Sequence, residues 1–324
     1  MSEVLSLMNS RDVSRNFSVA KVLAIFIVVA GHYFPDNILW LPVTVGLFIF
    51  AFSSGFFTST KYSYGYSNFD FWWAKLSRLG IGLCVINLFL FLLFLYQDRS
   101  GLFSWQTLPN LFGLGGFLTW FQIPNDSPYG AGLWFFTLLL LFYVFYPVLE
   151  YFNRKRGIAS AYVFFSLGAL SFLHYAIPMG HALWLTIFGF IFGAYSGRNK
   201  LSIPPIYWVV LMVGAMTVML FLNITWKVNS YNYFLLIIWC CSTVYLLLEL
   251  RMPEILGKLT LPFNGLLLEV YLIHTYLFVK ISNQHWVVNF LLTIGLVFVA
   301  AFILSQVRDR VSLLLHSCRL SPSK

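Results

Sequence analysis

The stretch AKVLAIFIVVAGHYF, residues 20–34, decides what kind of protein this is. Apart from Lys21, His32 and Tyr33 every residue in it suits hydrocarbon, and it shows none of the polar–apolar alternation that a barrel strand needs. Backbone N–H and C=O groups in lipid must be satisfied within the segment, so the stretch predicts a membrane helix. Lys21 and His32 then stand eleven residues apart. At 3.6 residues per turn that spacing brings them to within about 20° of one face, with about 16 Å between them along the axis. Charged groups in such a helix cost at least ~2.5 kcal/mol on insertion scales, and these two require an explanation.

The same kind of run recurs along the whole chain of 324 residues. Hydrophobic residues make up 60% of it and charged residues 10%, too few to clothe a soluble domain of this size. Runs near the ~20 residues that span a bilayer fall at about 17–34, 41–60, 79–96, 133–151, 158–177, 181–197, 205–223, 232–250, 262–283 and 287–306. The expectation is an all-α polytopic membrane protein of about ten transmembrane helices. A short polar head (1–16) precedes a membrane domain over 17–306, and a basic tail (307–324) follows it. The first run exceeds a usual signal-peptide core and no small-residue cleavage pattern follows, so it reads as a retained helix. Cys84, Cys240 and Cys241 fall in helices and Cys318 in the tail, which predicts no structural disulfide.

Charge fixes the expected orientation. With the N-terminus in the cytoplasm, sixteen of the twenty Lys and Arg residues fall on the inner side, from Arg11, Arg15, Lys75 and Arg78 to Arg308 and Lys324. Only Arg99 and Lys227 fall in outer loops, while Lys21 and Lys280 lie within helices. Both termini are therefore expected to be cytoplasmic. The net charge of +9 is spread along one membrane face rather than gathered on one surface, which excludes a nucleic-acid partner. The longest outer loop, 97–132, mixes aromatics with Gly and Pro and ends in the turn-rich string IPNDSP (123–128); it is expected to re-enter the membrane or lie on its surface.

Chemistry must come from polar residues inside the bundle. Lys280, His174 and His181 sit at outer helix ends, where snorkelling or surface placement accounts for them. Lys21 is one turn from the cytoplasm and is open to the same reading. His32, near the outer end of its helix, is the type of group best suited to move a proton near neutral pH, its reference pKa being ~6.5. In LLLEVYLIHTY (266–276), Tyr271 and His274 share a face, but Glu269 and His274 are five residues apart and do not pair with each other. Each is expected to find a partner on another helix or to line a wet cavity. Lys75 and Arg78 in FWWAKLSRLG (71–80) are neighbours at i, i+3. They suit either a topology anchor or a clamp on phosphate oxygens.

Taken in order, these stretches resemble the acyltransferase-3 family of integral-membrane O-acyltransferases. KVLAIFIVVAGH (21–32) is similar to the family's basic residue, ten-residue gap and histidine, with Lys for the usual Arg. GLFIFAFSSGFFTSTKY (46–62) resembles its second helix, with Ser54, Gly55 and Phe56 at the SGF motif. KLSRLGIG (75–82), LWFFTLLLLFYVFYP (133–147) and VYLIHTY (270–276) resemble its third helix, its LWFLSVEEQFYLLYP segment and its C-terminal YLIH helix. One departure matters: where many relatives carry glutamate, this chain has Leu139 and Leu140, and Glu269 is the acid left to compensate.

The resemblance implies transfer of an acyl group, commonly acetyl, from acyl-CoA (acetyl-CoA) to a hydroxyl of a cell-surface or lipid-linked glycan, in a bacterial cytoplasmic (inner) membrane. It implies His32 as general base, with Glu269 and His274 as further catalytic candidates. Lys21, Lys75 and Arg78 would then meet the polyanionic donor on the cytoplasmic side. No metal and no tightly bound cofactor are expected, and the sequence leaves the oligomeric state open. The alternative reading is a transporter or flippase of a lipid-linked sugar, against which stands the absence of matching Gly/Pro-broken helices in the two halves.

Topology is directly testable. Reporter fusions after Arg156 and Lys200 are expected to report cytoplasm, and fusions within 120–128 the outside. An outside signal at Arg156 would overturn the placement of His32.

Overall fold

The computed structural model describes residues 10–34, 39–62, 66–177, 179, 183–199, 203–227 and 231–320. Among them every regular element is helical: α1 (Ser10–Tyr33), α2 (Trp40–Lys61), α3 (Asn68–Tyr96), α4 (Thr107–Leu111), α5 (Gly115–Trp120), α6 (Trp134–Arg154), α7 (Arg156–Ala176), α8 (Leu183–Ser196), α9 (Pro205–Phe221), α10 (Asn232–Glu249), α11 (Glu254–Thr260), α12 (Leu267–Ile273) and α13 (Trp286–Leu320). A π-helical turn, Leu222–Trp226, extends α9, and short 3-10 turns follow α11 and α12.

Eight of these helices are long and apolar enough to cross a membrane, or nine if the bent pair Glu254–Phe263 and Leu267–Tyr276 makes one span. Two of the ten expected runs differ from one long helix among the described residues. The described part of the run 181–197 is α8, of 14 residues. The run 262–283 is not one helix but breaks around Pro262, Asn264 and Gly265, where proline lacks the N–H a continuing helix would use.

The chain divides into two compact units: 1–64 with 148–264, and 65–147 with 265–324. In the first, α2 and α8 touch backbone to backbone. A Cβ on Gly55 would strike the Phe190 carbonyl, and one on Gly193 would strike the Phe52 carbonyl. Small residues at a membrane helix interface allow this approach, and the close van der Waals contact it gives supplies the attraction that water exclusion cannot supply in lipid. Around it pack Phe17, Phe48, Phe52, Phe188 and Phe192, with Phe17 and Phe52 stacked at 5.8 Å and Phe188 and Phe192 at 5.4 Å. Gly46 lets Ala24 of α1 approach α2; a Cβ there would lie 3.1 Å from that of Ala24.

Two polar links also hold the first unit. The Asn16 side-chain amide donates to the carbonyls of Leu247 (2.9 Å) and Leu250 (2.5 Å) and accepts from the Met252 N–H (3.3 Å). It thereby satisfies carbonyls that the end of α10 leaves open. Glu150, 2% exposed, is paired with Arg198 and, at 3.1 Å, with Arg154.

In the second unit α13 packs on α3 and α12. The segment 97–133 between α3 and α6 is folded rather than extended. Asn87 donates to the Leu111 carbonyl (2.8 Å), and Asn110 to the Asn125 side chain and the Tyr129 carbonyl (both 3.2 Å). Phe103, Trp105, Phe112 and Phe121 stay exposed, as befits aromatic side chains at a membrane–water boundary.

Gly193→Val is expected to lower the thermal unfolding midpoint in detergent, because overpacking against backbone costs about 1–3 kcal/mol or more. Gly214→Val on α9, where a Cβ meets nothing within 4 Å, is expected to leave the midpoint unchanged. Equal midpoints for the two variants would refute the close α2–α8 approach.

Candidate active site

One face of α1 carries both residues that the sequence singles out there. His32 is half-buried, its Nδ1 2.9 Å from the Val28 carbonyl one turn back. A carbonyl can only accept, so Nδ1 holds the proton and Nε2 carries the basic lone pair. Trp40 at the start of α2 meets the ring edge-on, with centroids 5.3 Å apart. The imidazole is thus held in one tautomer and against one wall. Lys21 is half-buried eleven residues earlier on the same helix.

The second unit holds the remaining predicted residues. Glu269 on α12 is 1% exposed and is paired with Arg308 of α13, whose guanidinium also contacts Asp309 at 2.9 Å. Arg308 supplies the counter-charge without which a buried carboxylate would be neutralised. The Arg308 stem passes α3 at Gly82, its Cδ 3.7 Å from where a Cβ would stand, one turn beyond Arg78. His274 is fully buried, with Nδ1 near the carbonyls of Tyr271 (2.8 Å) and Val270 (3.2 Å). It therefore has the same Nδ1–H tautomer as His32 and faces Tyr271 and Phe278 at ring distances of 6.1 Å.

At the start of α3 the Lys75 ammonium lies 4.7 Å from the Tyr143 ring centroid and 6.0 Å from that of Phe71, a cation–π arrangement. Arg78, three residues on, is exposed. The structure therefore joins Glu269 to Arg308 and sets Lys75 against the Tyr143 and Phe71 rings. Of the other polar candidates, His174 stacks on Tyr233 at 3.9 Å, Lys280 is exposed, and His181 lies outside the described residues.

Tyr271 was visible in the sequence beside His274, but several other polar residues near it escaped the sequence reading. The Tyr276 hydroxyl accepts from the N–H groups of Gly130 and Ala131 (both 3.0 Å), and Tyr271 donates to the Gly132 carbonyl. Gly130 and Gly132 have φ of +103° and +76°, a backbone that favours glycine. Thr137 accepts from the Gly116 N–H (2.9 Å) and lies 2.7 Å from the Gly113 carbonyl. The segment 97–133 is therefore tied to α6, to α12 and to the turn after α12 by side-chain hydroxyls. Within that segment, burial raises the Tyr129 phenol above its usual range, keeping it a neutral donor. The Tyr–x4–Tyr spacing around His274 and the polar Thr137 in an apolar run were the available signals. Arg308, the first charge after the last apolar run, looked like a topology residue. Among the described residues no three His, Cys, Asp or Glu side chains gather as metal ligands.

The comparisons add one positive finding. A family model described as an acyltransferase domain, Acyl_transf_3, matches residues 15–307. No curated protein and no solved structure matches the chain. The matched region contains His32, Lys21, Lys75, Arg78, Glu269 and His274; Arg308 falls just beyond it.

Arg308→Leu is expected to destabilise the protein by about 3–5 kcal/mol, because it leaves the Glu269 carboxylate buried without its cation. The double variant Glu269→Leu/Arg308→Leu should recover much of that loss in detergent unfolding measurements. A double variant no more stable than the single would show that the pair is not the source of the effect.

Proposed function

Because the chain belongs to the acyltransferase-3 family and is a membrane acyltransferase, we propose that it moves an acyl group from acyl-CoA to a hydroxyl of a cell-surface or lipid-linked glycan, with His32 as general base. The observation that carries this reading is the His32 geometry. Its Nδ1–H is committed to the Val28 carbonyl, so Nε2 can accept a proton without a tautomer change. A sugar hydroxyl is a poor nucleophile near pH 7 and needs such a base. In the step proposed, Nε2 takes the hydroxyl proton as the oxygen attacks the thioester carbonyl. The C–S bond then breaks and the sulfur leaves as thiolate, which the imidazolium can protonate.

The donor is polyanionic, and cations on the side expected to be cytoplasmic suit it: Lys21 on α1, and Lys75 with Arg78 on α3. An acetyl donor is the form the family resemblance favours, and the bacterial inner membrane is the compartment. His274 fits a positioning role, since its Nδ1 fixes the ring against its own helix. Glu269, balanced by Arg308, fits the role of charge partner better than that of free acid. One observation favours the alternative of a transporter or flippase: the broken segment Glu254–Phe263 and Leu267–Tyr276 is the kind of interruption that marks sites in carriers.

His32→Ala is expected to lower acyl transfer by about 10²–10⁴-fold, with the amount of membrane-inserted protein near wild type. The measurement is acetyl-CoA consumption by purified protein supplied with glycan. Activity within a few-fold of wild type would remove His32 from the chemistry. A wild-type protein that moves lipid-linked sugar without consuming acetyl-CoA would establish the carrier instead.

A further inference from the structure

A groove of about 630 Å³ in the first unit is not used by the reading above. Its two walls are single helix faces. Arg11, Ser14 and Ser18 line it from α1, together with Arg15, and Glu254 and Lys258 line it from α11. The α1 set follows the i, i+3, i+4, i+7 spacing of one helical stripe, and the α11 pair stands at i, i+4. Two arginines and two hydroxyls on α1 therefore face Glu254 and Lys258 across an open cleft.

The arginine at its centre is deliberately seated. A Cβ on Gly257 would lie 2.7 Å from Arg15 Cδ and 2.9 Å from its Cγ, so only glycine leaves room for the stem. Asp12 holds Arg15 Nη2 at 2.8 Å, which fixes the guanidinium plane. The Arg15 Nε is buried and meets no acceptor among the described residues. A buried N–H donor in this state is costly and calls for an acceptor oxygen. Arg11, Lys258 and the serine hydroxyls surround it with groups that match a phosphate: planar and point-like cations plus neutral donors. The positive-inside pattern puts this end of α1 at the cytoplasmic surface.

We propose that the groove between α1 and α11 binds a phosphate group presented from the cytoplasmic side. Two molecules can bring that chemistry: the phosphorylated nucleotide end of the acyl donor, or the headgroup of an anionic phospholipid. The first source rests on the transferase reading; the second does not. Ser14, Ser18 and Lys21 follow one another on nearly one face of α1, so a donor held here by its phosphates lies at the start of the face that bears Lys21.

The test uses the purified full-length chain in phosphatidylcholine nanodiscs, with coenzyme A, dephospho-coenzyme A and pantetheine as probes in calorimetric titration. A second arm measures retention of phosphatidylglycerol from mixed bilayers. Arg11→Gln/Lys258→Gln is expected to weaken binding of the cognate phosphate by about tenfold or more. Glu254→Gln removes the repelling charge and is expected to tighten it by about threefold. A tightened variant cannot be a folding failure, so the opposite signs keep the result interpretable.

If coenzyme A affinity moves in both directions while phosphatidylglycerol retention stays fixed, the donor occupies the groove. If lipid retention moves and coenzyme A affinity does not, the phosphate site stands with lipid as its source. If wild type binds no coenzyme A at all but retains phosphatidylglycerol through these residues, the transferase reading fails and the groove survives. Neither ligand responding to either variant would overturn the proposal, leaving Arg11, Arg15 and Lys258 as topology residues.

Discussion

The contact on which the rest of the first unit depends is the approach of α2 to α8 at Gly55 and Gly193. Each glycine faces a carbonyl of the other helix at a distance that no Cβ permits. Lipid tails are as apolar as leucine, so association in a membrane relies on contact quality rather than on escape from water. The phenylalanine cluster is arranged around that contact, and α1 then fits onto α2 at Gly46. This explains one of the motifs that carried the family resemblance. The Gly55 of the SGF triplet is a packing residue: it seats α2 on α8, and α2 in turn is the partner on which α1, with its histidine and lysine, rests.

Charge inside the structure is handled by pairing. Glu150 with Arg198 and Arg154, and Glu269 with Arg308, bring buried carboxylates against guanidinium groups that offer two donors at once. Such pairs are weak sources of net stability, but losing one member leaves an uncompensated charge. They act as constraints on which helices can be neighbours. The acid of α6 is Glu150, eleven and ten residues beyond Leu139 and Leu140 and held by Arg198 and Arg154, while Thr137, near the leucines, is occupied with the backbone of the segment 97–133.

Much of this was legible from residue type and spacing. The long apolar runs gave helices where they were expected, because hydrophobicity of that length has no other solution in lipid. In the run 181–197, hydropathy could not show how much of the helix is covered by protein rather than lipid; α8 is largely buried among its neighbours. The break near 262 had visible signals in Pro262 and the Asn264–Gly265 pair, which the apolar residues on either side outweighed. The partner of Glu269 could not be read at all, since Arg308 lies 39 residues away on another helix. Neither could the tautomers of His32 and His274, which depend on carbonyl positions, nor the groove, which exists only once α11 lies beside α1.

Asn16 has a consequence for how the protein is made. Its amide finds the carbonyls of Leu247 and Leu250 across 231 and 234 residues of sequence. During synthesis the first helix must therefore enter the bilayer long before its capping target has left the ribosome. Until then that amide must stay hydrated near the membrane surface or borrow a temporary partner. A contact of such high order closes late and slowly, so α1 completes its seating only when translation of α10 is done. Premature termination anywhere before Leu247 would leave the first helix permanently without the partner that seats it.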